Sequence, residues 1–136
     1  MKKYILDASV ILTFLLGNNL KLNKSFITLL KENQKGNNQL YSIALLPLEV
    51  GNGLRYSLDE ENLAKEALVK FLKLPVKLFS LTEAHYQKIL LLSYQLKTSF
   101  YDTSYHWTAK LLKGIFLTCD KDYFKKAKQL GSIKLL

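Results

Sequence analysis

Short apolar runs alternate along this chain with longer segments whose apolar residues recur at helical spacing. The runs predict buried strands, and the helical spacing predicts amphipathic helices. The predicted strands are residues 4–6, 40–43, 76–81, 115–119 and 133–136. The predicted helices are residues 10–16, 26–33, a segment from 46, a segment from 59, 82–97, about 102–114 and 123–130. This alternation predicts an α/β fold with a parallel sheet, in a single domain spanning residues 1–136.

The opening run, MKKYILDASVILTFLLG, admits two interpretations. Two lysines before an apolar stretch are typical of a secretory signal peptide. Asp7, however, would lie inside that stretch, and the GNNLKLN that follows offers no small-residue cleavage site. We therefore favour a buried strand ending at Asp7, followed by a helix that Asp7 or Ser9 caps.

The balance of charge is strongly basic. The formal net charge is +9, and nearly all of the positive charge is lysine, because Arg55 is the one arginine. Lysine is a flexible point charge that suits attraction to phosphate. Such a surface fits a nucleic acid, an acidic protein or an anionic membrane, although charge can also serve solubility alone.

The cysteine content and the hydropathy restrict the expected cellular location. Cys119 is the one cysteine, so no internal disulfide can form, which favours a reducing, cytoplasmic location. No apolar run reaches the roughly 18 residues expected of a membrane span, and we expect no membrane partner.

Four carboxylates stand beside apolar runs at the predicted junctions: Asp7, Glu49, Asp102 and Asp120. In parallel sheets, ligands bind beyond the carboxyl ends of the strands, where Asp7 and Asp120 are predicted to lie. Converging carboxylates repel one another unless a cation lies between them. Oxygen ligands without histidine or cysteine favour Mg²⁺ or Mn²⁺, which can activate water and stabilise charge on a phosphate. Taken singly, each acid has a simpler interpretation as a helix cap, a favourable first-turn charge or part of a solvated turn.

At these residues the sequence resembles the PIN-domain ribonucleases, and most of all the single-domain toxins of the VapC type. The segments that carry the resemblance are YILDASVI, LPLEVGNGL, FYDTSYHWTAKLLKGIFLTCDKDY and the closing IKLL. The resemblance implies a PIN-like three-layer α/β/α sandwich with a five-stranded parallel sheet. It also implies an acidic pocket that binds Mg²⁺ or Mn²⁺ and cleaves single-stranded RNA.

Carried over by position, the resemblance assigns the catalytic and metal-binding roles to Asp7, Glu49, Asp102 and Asp120. Asp122 matches a further acidic position of some members. The resemblance also implies supporting residues, namely Ser9, Thr118 and Asn52. It implies a small cognate antitoxin and a homodimer as well. The family's usual arginines are replaced by lysines here, which leaves the details of RNA binding open.

Several other side chains are candidates for contact with RNA. Lysines that could guide the backbone are Lys2, Lys3, Lys121 and Lys125. Aromatic residues that could stack on bases are Tyr101, Tyr105 and Trp107, although packing between helices explains them more simply. The proposed chemistry requires no histidine, and we expect structural or exposed positions for His85 and His106.

Other classes remain open alternatives. A phosphatase of the haloacid-dehalogenase type needs a second acid two residues after the first, where Ser9 stands here. A phosphate-accepting receiver domain needs an acidic pair after the first strand, and Asp7 is a single acid. A noncatalytic binding module with the same fold and a free-standing PIN nuclease of RNA processing both fit the pattern.

Overall fold

A computed structural model describes residues 1–136 and contains five strands and seven α-helices. The strands are β1 (Lys2–Leu6), β2 (Asn38–Ile43), β3 (Val76–Phe79), β4 (Ile115–Thr118) and β5 (Ile133–Leu135). The helices are α1 (Ala8–Leu16), α2 (Leu20–Gln34), α3 (Leu46–Ser57), α4 (Glu61–Leu72), α5 (Glu83–Leu96), α6 (Phe100–Leu112) and α7 (Lys121–Ala127). The predicted order of elements is confirmed, with differences at the ends.

The five strands form one parallel sheet in the order β3-β2-β1-β4-β5. Right-handed crossovers in this order place α1 to α4 on one face and α5 to α7 on the other. The predicted α/β/α sandwich is therefore confirmed. The strand order reverses between β1 and β4, so the carboxyl ends of these two neighbours form the switch point at which α/β proteins bind ligands.

The first strand is central in the sheet, which explains its apolar sequence. Ile5 and Leu6 are completely buried because helices cover both faces. Helix α6 packs across β1, β2 and β4, and Tyr105 and Ala109 of this helix lie in the main core. None of the helices has the length and hydrophobicity needed to cross a membrane.

Three details differ from the sequence prediction. Helix α2 begins at Leu20, well before residue 26, because the Asn19 side chain accepts a hydrogen bond from the Leu22 N–H and caps the helix. The last predicted helix ends at Ala127 and continues as a short 3₁₀ turn. Helical spacing predicts Leu72 on the apolar face of α4, but its side chain is 63% exposed.

Because glycine is costly inside a helix, the two glycines of α3 predict close packing or close approach of a ligand. A Cβ atom added at Gly53 would collide with the side chain of Leu12 on α1, so Gly53 permits tight packing of the two helices. Gly51 has open space around its Cα.

Candidate active site

Asp7 follows the last residue of β1 and caps helix α1, as the sequence predicted. Its Oδ1 accepts hydrogen bonds from the Ser9 hydroxyl (2.5 Å) and from the Val10 N–H (3.2 Å). Its Oδ2 accepts a hydrogen bond from the hydroxyl of Thr118, the last residue of β4, at 2.6 Å. Ser9 and Thr118 therefore fix the orientation of the carboxylate across the switch point.

The same hydroxyls also order the chain that follows β4. The Ser9 Oγ accepts a hydrogen bond from the Cys119 N–H (2.9 Å), and the Thr118 Oγ1 accepts one from the Asp120 N–H (3.1 Å). Ser9, predicted as a supporting residue, thus links two chain segments that are 110 positions apart.

Burial strongly affects the acidity of Asp7, which is only 4% exposed. Desolvation raises the pKa of Asp7 from 3.8 to about 6, although its three hydrogen bonds oppose this change. The negative charge of Asp102 adds to the increase. Burial and an acidic neighbour both favour a proton or a cation at this carboxylate over the bare charge.

Asp102, Asp120 and Asp122 line one cleft of about 140 Å³. Asp102 lies in the first turn of α6, and its pKa is raised by desolvation and, to a smaller extent, by the charge of Asp120. Asp120 caps α7 and accepts a hydrogen bond from the Tyr123 N–H at 2.9 Å. Asp122 lies in the first turn of α7 and is exposed. The helix that Asp102 was considered to cap is capped instead by Ser99.

Glu49 joins this group through Tyr105. It lies in the first turn of α3 and is half-buried, and its Oε1 accepts a hydrogen bond from the Tyr105 hydroxyl at 2.5 Å. Desolvation, together with Glu49, Asp7 and Asp102, raises the pKa of Tyr105 well above its usual range. Tyr105 therefore remains a hydrogen-bond donor, and it lies among three of the four predicted catalytic acids.

The sequence indicates that Tyr105 either packs between helices or stacks on bases, and it does not reveal the bond to Glu49. Its ring is 1% exposed and stacks on Phe116 of β4, with ring centroids 6.0 Å apart. It is therefore not available to RNA bases. Trp107 packs against His85, with centroids 5.0 Å apart, whereas Tyr101 is 59% exposed.

The acids gather at one end of the sheet without forming a closed cage. No three histidine, cysteine, aspartate or glutamate side chains converge closely enough to hold a metal ion by themselves. Asn52, predicted as a weak supporting residue, is exposed on α3. A donor set made only of carboxylate oxygens still fits Mg²⁺, which retains several waters and commonly takes only one or two carboxylates from a protein.

A buried histidine, His106, contacts Tyr123, which is one of the residues that line the cleft. The Nε2 of His106 lies 2.6 Å from the Gly131 carbonyl oxygen, and its Nδ1 lies 2.9 Å from the Tyr123 hydroxyl. Because a carbonyl can only accept, Nε2 carries the proton and Nδ1 accepts from Tyr123. His106 is fully buried, and desolvation lowers its pKa, which fits the structural role expected for it.

The lysines that line the acidic cleft are not those that the sequence suggested. Lys2 and Lys3 begin β1, at the end of the strand opposite Asp7. Lys121 and Lys125 are exposed on α7 but do not line the acidic cleft. The two lysines that do line it are Lys97 and Lys126. Sequence spacing does not indicate that Lys97 lies near the acids, and it does not show that Lys126 rather than Lys125 lines the cleft.

Comparison with known families identifies the class of protein to which this fold and its acidic site belong. The family model described as "PIN domain" matches residues 4–130, and the chain belongs to this family. No curated protein matches the sequence significantly.

Solved structures share the fold at low sequence identity. VapBC2 from Rickettsia felis, bound to a DNA fragment from its promoter, matches with a TM-score of 0.71 and 14% identity, covering 98% of this chain and 97% of that chain. PAE2754 from Pyrobaculum aerophilum matches with a TM-score of 0.66 and 19% identity, covering 93% and 86% of the two chains. VapBC-1 from nontypeable Haemophilus influenzae matches with a TM-score of 0.62 and 16% identity, covering 98% and 97%.

Proposed function

We propose that this protein is a metal-dependent endoribonuclease that cleaves single-stranded RNA and acts as the toxin of a type II toxin–antitoxin pair in the cytoplasm. The observation that carries the proposal is the gathering of Asp7, Asp102 and Asp120 at the switch point, with Glu49 joined through Tyr105. The PIN family consists generally of nucleases, and two of the similar structures are VapBC complexes.

The residues proposed to hold Mg²⁺ or Mn²⁺ are Asp7, Glu49, Asp102 and Asp120, with Asp122 at the edge. When bound, such an ion activates water for attack on phosphorus and stabilises the charge that develops on the phosphate. Burial raises the pKa of both Asp7 and Asp102, and a negative neighbour adds to each increase, Asp102 for Asp7 and Asp120 for Asp102. A divalent cation would offset both effects.

The chain's own groups orient these acids. The hydroxyls of Ser9 and Thr118 each donate to one oxygen of Asp7. Tyr105 donates to Glu49 from a rigid, stacked ring. Because these donors are fixed by buried packing, the carboxylates lose little freedom when a cation and an RNA strand bind.

The test is cleavage of a mixed single-stranded RNA pool by purified protein with Mn²⁺ or Mg²⁺. We expect cleavage that is lost in EDTA and in Asp7→Asn protein. Asp59→Asn is the matched control, because it removes an exposed aspartate that lies in the turn between α3 and α4. Cleavage that survives Asp7→Asn, or no cleavage under any metal condition, would contradict the proposal.

The toxin role predicts a partner and a growth phenotype. We propose that a small antitoxin binds this protein and that the protein forms a homodimer. Expression of the wild-type chain alone should arrest growth, whereas expression of Asp7→Asn should not. Normal growth on expression of a chain that cleaves RNA in vitro would favour a free-standing nuclease of RNA processing.

A further inference from the structure

Two lysines line the acidic cleft but form no ion pair with its carboxylates. Lys97 and Lys126 line the same cleft as Asp102, Asp120 and Asp122. The single ion pair in the structure joins Lys35 to Glu32, on the surface away from the cleft. No lysine therefore neutralises the carboxylates of the cleft, and neither Lys97 nor Lys126 is in an ion pair.

The two lysines are brought together by a direct contact. The Lys126 Nζ donates a hydrogen bond to the Lys97 carbonyl oxygen at 3.3 Å, which joins α7 to the end of α5. A lysine ammonium carries three protons, so Lys126 keeps two donors for a ligand. This anchor reduces the freedom that the long side chain would otherwise lose on binding.

Lys97 occupies a backbone conformation that glycine usually takes. It ends α5 with φ 56° and ψ 45°, in the left-handed region. Helices commonly place glycine at this position, because other residues are strained there. Lys113 ends α6 in the same way, with φ 57° and ψ 42°, but does not line the cleft.

We infer that Lys97 and Lys126 form a phosphate-binding edge, which holds the RNA backbone against the acidic cleft. This inference rests on the proposed function. The three carboxylates of the cleft repel an approaching phosphate, and the two unpaired lysines at its rim offset that repulsion. Lysine contacts to phosphate carry no base information, so the edge contributes affinity and position but no sequence preference.

The chain offers a matched control for each residue of the phosphate-binding edge. Lys128→Gln controls for Lys126→Gln, because Lys128 is exposed in the short turn that follows α7 and lies outside the cleft. Lys113→Gln controls for Lys97→Gln, because the two lysines share their helix-end conformation. All four variants change the net charge by the same amount.

The experiment measures binding of a fluorescein-labelled, mixed-sequence RNA strand by fluorescence anisotropy in EDTA, across a series of salt concentrations. Each contact to single-stranded RNA contributes about 0.7 to the slope of log affinity against log salt. Lys97→Gln and Lys126→Gln should each lower the slope by this amount. At roughly 0.15 M salt, the loss of one such contact corresponds to about fourfold weaker binding of the RNA. Lys113→Gln and Lys128→Gln should bind like the wild type.

Glycine variants separate binding from folding. Lys97→Gly and Lys113→Gly should both raise the melting temperature, because glycine accepts the left-handed conformation without strain. Only Lys97→Gly should weaken binding to RNA.

Two results would overturn the inference: equal weakening in all four glutamine variants, or wild-type binding by both Lys97→Gln and Lys126→Gln. Cleavage of RNA by the wild type together with either result would leave the nuclease proposal intact. If the expected binding pattern were observed without any cleavage, the nuclease proposal would be rejected and the phosphate-binding edge would stand.

Discussion

Replacing Asp7 by asparagine should make the metal-free protein more stable at neutral pH while abolishing its activity. The carboxylate of Asp7 is 4% exposed, and its pKa is raised from 3.8 to about 6. Between these two pH values the folded state holds a proton that the unfolded chain has released. The free energy of unfolding therefore falls as the pH rises from about 4 to about 6, and it stays lower above this window.

The magnitude follows from the two pKa values. A tenfold change in an equilibrium constant corresponds to about 1.4 kcal/mol, so ionised Asp7 destabilises the folded state by ~3 kcal/mol above pH 6. About two-thirds of this cost arises between pH 4.5 and pH 7.5. Asparagine has nearly the same shape, and its oxygen can still accept from Ser9 and Val10. Its amide would face the Thr118 hydroxyl, which can rotate from donor to acceptor.

The assay is urea unfolding in EDTA at pH 4.5 and pH 7.5, followed by circular dichroism. The stability of Asp7→Asn relative to wild type should increase by ~2 kcal/mol between the two pH values. Asp59→Asn, which changes an exposed aspartate, should show no such increase. A relative stability of Asp7→Asn that is the same at both pH values would refute the argument that burial raises the pKa of Asp7.

Three further outcomes follow from other contacts. Tyr105→Phe keeps the stacked ring but removes the donor to Glu49. Since hydrogen bonds to charged groups are worth ~1.5–3 kcal/mol, kcat for RNA cleavage should fall about tenfold or more. The Glu49→Gln protein should lose little further activity when Tyr105→Phe is added. Gly114→Ala should destabilise the protein by several kcal/mol, because its Cβ would lie 2.6 Å from the Lys3 carbonyl oxygen; thermal unfolding measures this. His106 is buried with a lowered pKa, so its contribution to stability should be lost as the pH falls below about 6.5, and urea midpoints of His106→Gln should lack that dependence.

The parts of the fold that depend on local pattern could be predicted from the sequence. Each strand is a short apolar run, and the run before Asp7 was assigned correctly because a carboxylate fits a strand end better than a signal peptide. The start of α2 at Leu20 is not evident from the apolar pattern, because it depends on the cap that the Asn19 side chain provides. Helical spacing alone does not predict the exposure of Leu72, because the pattern does not show which edge of an apolar stripe faces solvent.

The candidate site was only partly visible in the sequence. Asp7, Asp102 and Asp120 were placed by their positions at the ends or starts of elements. The bond from Tyr105 to Glu49 spans 56 positions and depends on how α6 crosses the sheet, which spacing does not reveal. Lys126 and Lys125 differ by one step of helix rotation, and a helix phase predicted from sequence does not resolve such a step.

The link between the ends of β1 and β4 determines when the site can be assembled. Ser9 and Asp7 leave the ribosome early, but the Cys119 N–H and the Thr118 hydroxyl that complete their hydrogen bonds are made more than a hundred residues later. Until β4 has been synthesised and has docked beside β1, Asp7 lacks one of its donors and the acidic cleft lacks Asp120. During most of its translation, the nascent chain would therefore lack the proposed nuclease activity. Control of the proposed toxin would begin with the order of synthesis, before the proposed antitoxin had to bind.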